Sequence, residues 1–102
     1  MRNAGDMATV MLSIMRNKRA STRVVELAAE VIAADARFNG KVGDEKEKPQ
    51  SGERIFHAVD FAEQTMNECQ QLNVRFCNGL SISELCDELE RIRIKIDSFV
   101  FS

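Results

Sequence analysis

A single proline in 102 residues, together with apolar side chains that recur every three or four positions along most of the chain, makes helix the least costly structure open to this sequence. That proline, Pro49, lies in the one long stretch where the recurrence stops. Apolar residues make up 44% of the chain and charged residues 29%, a globular balance rather than a disordered one. A chain of this length supports one core and one domain. Tryptophan and tyrosine are absent, so six phenylalanines and five methionines must supply, with Leu, Ile and Val, the bulky apolar volume. Any aromatic recognition falls to Phe.

Spacing defines four helical segments. Met7, Val10, Met11, Ile14 and Met15 form one stripe of a first helix from Asp6 to about Arg19, with Asp6 placed as its N-cap. Ser21 or Thr22 caps a second helix, whose face collects Val24, Leu27, Ala28, Val31, Ile32, Ala34 and Phe38 and whose stop is Asn39-Gly40. The third and longest begins near Arg54, presents Ile55, Ala58, Val59, Ala62, Met66, Cys69, Leu72 and Phe76, and ends at Asn78-Gly79. For the fourth, Ser81 and Glu84 make a capping box and Leu80 and Leu85 a hydrophobic staple. Its face is Ile82, Leu85, Cys86, Leu89, Ile92 and Ile96, with Asp87 and Arg91 spaced as an ion pair.

Residues 39–53, NGKVGDEKEKPQSGE, have no apolar period and read as a flexible, charged loop. The expected fold is therefore all-α: a small four-helix bundle of two helical hairpins joined by that loop, forming a single domain over residues 1–102. One alternative stays open. Val10, Leu12 and Ile14 alternate with Thr9 and Ser13, and Arg91 to Asp97 alternates strictly before Phe99, Val100 and Phe101. If residues 9–15 and 91–101 are both strands, the fold becomes α+β.

The net charge of −2 is unevenly distributed. Through Val25 the chain carries Arg2, Arg16, Lys18, Arg19 and Arg23 against Asp6 alone, while the rest is strongly acidic. Such a basic end either seeks an anionic partner or packs against the acidic remainder of its own chain or of a second copy. The segment Arg16 to Arg23, next to a helix N-terminus, is the candidate for contact with phosphates or nucleic acid. Against a DNA-reading role, the following helix presents Glu26 and Glu30 and lacks the Arg, Asn and Gln set that reads base edges.

Chemistry is sparse. Cys69, Cys77 and Cys86 lie eight and nine positions apart, unlike the close pairs of zinc sites, and are odd in number for a disulfide framework. A reducing, cytoplasmic setting is expected, although the Arg-containing, acid-poor first 25 residues also have the composition of a transit peptide. No apolar run is long enough for a membrane span. His57 shares a helix side with Glu53, Asp60 and Gln64, which fits weak cation binding or an ordinary solvated face. No phosphate loop, metalloprotease helix pair or serine elbow occurs, so no enzyme, cofactor, metal or small-molecule substrate is expected. Asp35 stands out on the apolar side of the second helix, where a carboxylate needs compensation.

Apolar side chains also fall outside the stripes: Leu12, Phe56, Val74, Ile94, Phe99 and Phe101. A helix with a second apolar face commonly contacts a partner. The function expected is thus a non-enzymatic protein-protein interaction module, a small adaptor, chaperone or inhibitor of a larger protein, working as a homodimer or on a protein partner. A small nucleic-acid-binding regulator using residues 16–23 ranks behind it.

Overall fold

The computed structural model describes residues 6–46 and 52–101, with the side chains of residues 7–44 and 55–101. The fold is an all-α four-helix bundle: α1 (Asp6–Met15), α2 (Thr22–Lys46), α3 (Gly52–Cys77) and α4 (Ile82–Val100). No strand occurs among the described residues, so both segments that alternate in sequence are helical. The reason is visible in α4, where Ile92 and Ile96 are buried one turn apart while Ile94 is 49% exposed. A helix satisfies its own backbone groups, whereas a strand there would need a paired strand, and the other candidate segment, residues 9–15, is itself helical.

Local chemistry sets the helix starts and stops. Ser21 Oγ accepts from Val24 N at 3.3 Å and opens α2. Ser81 Oγ accepts from Glu84 N at 3.1 Å and opens α4, and its hydroxyl also donates to the Glu84 carboxylate at 3.1 Å. Gly79, at φ 109°, closes α3: Leu80 N donates to Arg75 O at 2.9 Å and Gly79 N to Phe76 O at 3.2 Å, the two bonds of a Schellman stop. The expected Asp6 cap lies outside the described side chains.

At Asn39-Gly40 the structure overrules the sequence. α2 runs two further turns, to Lys46, with Gly40 and Gly43 inside it, so residues 39–46 are helix rather than loop. Each glycine costs a helix about 1 kcal/mol relative to alanine. Tertiary contacts offset this: Val42 continues the Phe38 stripe against the core, and Lys41 Nζ donates to Val100 O at 2.5 Å, satisfying a carbonyl at the end of α4. α3 in turn starts at Gly52, earlier than Arg54. The rest of the expected loop, residues 47–51, lies outside the described residues.

The core forms from Met7, Met11 and Ile14 of α1, Val24, Leu27, Ala28, Val31, Ala34 and Phe38 of α2, Ala58, Cys69, Leu72 and Phe76 of α3, and Leu85, Leu89, Ile92, Ile96 and Val100 of α4. α3 is rotated slightly from the expected stripe. Val59, expected inside, is 49% exposed, and Thr65 takes a buried position instead. Adjacent helices are antiparallel in each of the expected hairpins, yet the most extensive contact is between α2 and α4. These two run parallel, as shown by pairs that advance together along both: Arg23 with Glu90, Glu30 with Arg93, Arg37 with Asp97. Alanines 28 and 34 on the inner face of α2 let the backbones approach. Arg91 pairs with Glu88 and with Glu68 of α3, each at 2.9 Å, rather than with the expected Asp87.

Candidate functional site

The two ends of the bundle differ. At one, the α1–α2 and α3–α4 turns meet and are tied by Arg19. Its guanidinium lies 4.3 Å from the centroid of the Phe76 ring and donates to Leu80 O at 3.1 Å and to Phe76 O. Those carbonyls belong to the terminus of α3 and the turn after it, where acceptors lack intrahelical partners and a cation is favoured by the helix dipole. Arg19 therefore serves as a clamp between turns. Arg23 lies between Glu26 at 3.7 Å and Glu90 at 3.5 Å. Of the four basic residues expected to contact an anion, these two are engaged within the chain, and Arg16 and Lys18 remain exposed at the turn. The basic end thus packs in part against the chain's own acceptors.

The opposite end gathers the C-termini of α2 and α4 with the start of α3, and it holds five of the six phenylalanines. Phe38, Phe61 and Phe99 form a three-ring cluster across α2, α3 and α4, with centroids 5.6, 5.3 and 4.5 Å apart and Phe61 stacked on Phe99 at an interplanar angle of 19°. Phe99 is consequently half-buried in this cluster, a correction to its expected place on an exposed partner surface. Phe56 and Phe101 are the most open of the large apolar side chains described, 71% and 75% exposed, and Val59 follows Phe56 by one turn.

The remaining candidates do not join them. Val74 is exposed on the same side of α3 as Phe56 but 18 residues on, about 27 Å along the helix. Asp60, Glu63, Asn67 and Gln70 intervene. Ile94 lies two turns before Phe101 on the outer side of α4, and Leu12 is exposed on α1 beside the clamped turn. Single exposed aliphatics of this kind are common on monomeric proteins.

Just inside the aromatic end lies a cleft of about 120 Å³, partly open to solvent and lined mainly by Met7, Asp35, Phe38, Asn39, Phe61 and Thr65. Asp35, which needs compensation on that face, opens onto this cleft, and no arginine pairs with it among the described residues. Burial raises its carboxyl above the usual carboxylate range, and a hydrogen bond from Asn39 Nδ2, 3.3 Å away, only partly offsets this. Thr65 is 2% exposed, and its hydroxyl has no hydrogen-bond partner among the described residues. Sequence reasoning noted Asp35 and missed Thr65, although the spacing of Ala58, Thr65, Cys69, Leu72 and Phe76 contains it. A rule that admits only apolar residues to a stripe passes over a buried threonine.

Other chemistry is limited. His57 is exposed with its ring 6.2 Å from that of Phe56, edge-on; Glu53 lies outside the described side chains. Among the described residues, no three His, Cys, Asp or Glu side chains converge as a metal site needs. All three cysteines are free. Cys69 is buried, and burial first, then the nearby Glu68 and Asp35 charges, push its thiol up to about 12, far from a reactive thiolate. Cys86 packs half-buried against the core, and Cys77 is exposed. No helix among the described residues is long and apolar enough to cross a membrane. Comparison with family models, with curated proteins and with solved structures returns no match to this chain.

Proposed function

We propose that the protein is a non-enzymatic interaction module that binds a second protein through its aromatic end. The observation that carries this reading is the exposure of Phe56 and Phe101 at the end where the phenylalanines concentrate, opposite the clamped turns. Aromatic side chains offer large contact area with few rotors, which is why they are enriched in interface cores.

Charge selects the occupant. Arg37 is held by Asp97 at 2.9 Å, Lys95 by Glu68 at 2.6 Å, and Lys41 by the Val100 carbonyl. Asp44, Asp60 and Glu63 are exposed near the same end, and none of them is in an ion pair among the described residues. A symmetric pairing of two copies through this end would set acid against acid. The partner favoured is accordingly a helix or loop of a different protein, apolar on one side and flanked by Lys or Arg. A nucleic-acid partner would have only Arg16 and Lys18 of the expected set at its disposal.

Titration of the labelled protein with a short amphipathic helical peptide of Leu and Lys tests this, with the Leu and Glu counterpart as control. Amide shifts should cluster at Phe56, Val59 and Phe101 with the basic peptide only. They should vanish in a Phe56→Ala, Phe101→Ala double variant that keeps its thermal midpoint. Equal response to both peptides, or an unaltered response in the variant, defeats the proposal. A dimer in light scattering that dissociates in the variant would assign the end to a second copy instead.

A further inference from the structure

The cleft at the aromatic end contains two polar side chains that are incompletely compensated where they stand. The Thr65 hydroxyl is buried without a partner among the described residues, and Asp35 holds a half-buried carboxyl whose one described polar partner is the Asn39 amide. Polar groups desolvated without compensation cost free energy, and residues kept against that cost concentrate where a ligand repays it. The rest of the lining is apolar, with Met7, Phe38, Phe61 and Met66 prominent.

The available valences are specific. Asp35 is an acceptor, Thr65 adds acceptor lone pairs and one donor, and Asn39 already donates to Asp35. No described cation ion-pairs with Asp35; Lys95, whose ammonium is 5.8 Å from the Phe61 centroid, is held by Glu68. The missing complement is a compact donor with positive charge, next to aromatic rings whose faces attract cations. Size sets a second limit, because a cavity of roughly 150 Å³ holds benzene and this one measures about 120 Å³.

We propose that the cleft binds a small primary ammonium compound with a short alkyl body, its ammonium donating to the Asp35 carboxylate and the Thr65 hydroxyl and its chain lying against Phe38, Phe61 and the two methionines. The proposal does not rest on the protein-binding reading, because the lining of the cleft includes neither Phe56 nor Phe101.

The test is an NMR titration of the full chain with n-butylammonium, with n-butanol as the uncharged isostere and ammonium alone as the headgroup control. Saturable shifts are expected at Asp35, Phe61 and Thr65, with a dissociation constant on the order of millimolar for a ligand of about five heavy atoms. Butanol should bind at least about tenfold more weakly, the factor a lost charge-assisted hydrogen bond carries, and ammonium at least about tenfold more weakly for want of the buried alkyl body. Asp35→Asn and Thr65→Val, both close in shape to the parent residues, should weaken the amine by a similar factor, and Asp35→Asn should leave butanol binding unchanged. Absence of saturable shifts overturns the proposal. So does butanol binding as tightly as the amine in the parent protein, a comparison that needs no variant and would make the cleft a plain apolar cavity.

Discussion

Replacing Arg19 by alanine removes a side chain that ties the two turns together, and the geometry sets the size of the loss. A hydrogen bond to a charged donor contributes about 1.5–3 kcal/mol, a solvent-facing cation–π contact about 0.5–1, and a cation at a helix C-terminus about 0.3–1. These do not simply add. Arg19 is largely exposed, which screens its charge, and Phe76 O keeps a second donor in Gly79 N, so truncation leaves no carbonyl stranded there. The expected cost of Arg19→Ala is therefore at the low end, about 1–2 kcal/mol, or roughly 5–15 °C in the thermal midpoint of a domain this size. Urea unfolding followed by circular dichroism measures it, with Arg16→Ala as a surface control expected within about 0.5 kcal/mol of the parent. Arg19→Lys should recover about half, because an ammonium keeps the charge near the carbonyls but lacks the fork that reaches both. If Arg19→Ala and Arg16→Ala prove equivalent, Arg19 is an ordinary surface cation and the clamp is wrong.

Four further outcomes are expected. Glu68 is pushed up by burial, but the Lys95 and Arg91 hydrogen bonds outweigh that and hold it below the usual carboxylate range. Its contribution to stability is present above the unfolded-state value and is lost as pH falls through the folded one, so Glu68→Gln should flatten the acid limb of a stability profile. Asp35 has the opposite sign: its raised value favours the fold when the carboxyl is protonated, and that advantage disappears as pH rises through the folded value, so Asp35→Asn should raise stability at pH 7. Thr65→Val, which keeps the shape and removes the unpaired hydroxyl, should stabilise the ligand-free protein by about 1 kcal/mol in the same unfolding assay; a loss of stability would mean that ordered water already satisfies the hydroxyl. With a disulfide reagent, Cys77 should react quickly in the native protein, Cys86 slowly, and Cys69 only on unfolding; rapid modification of Cys69 would contradict the packing of α3.

Much of this architecture was legible in the chain because it depends on neighbours a few positions apart. Apolar spacing located all four helices, Ser81 with Glu84 marked the start of α4, and Asn78-Gly79 marked the end of α3, since caps and stops are made by residues within one turn. The same local logic misjudged Asn39-Gly40. A glycine there can stop a helix or, at a cost, sit inside one, and the choice fell to Lys41 and Val42, whose partners lie on other elements. Strict alternation from Arg91 to Asp97 was ambiguous for a similar reason: Ile92, Ile94 and Ile96 serve a strand face or a helix with one exposed isoleucine equally well until a packed neighbour decides.

The candidate sites divide along the same line. By itself the sequence determined that the chain is mostly helical outside residues 9–15 and 91–101, that its basic residues cluster early, that it has apolar residues to spare and that Asp35 is out of place. Only the tertiary structure decided that Arg19 clamps two turns, that Phe99 stacks on Phe61 instead of facing outward, and that Asp35 shares a cleft with an unpartnered Thr65 thirty positions away. Each of those depends on side chains brought together across helices, and the period of a single helix specifies which face is apolar without specifying what that face will meet.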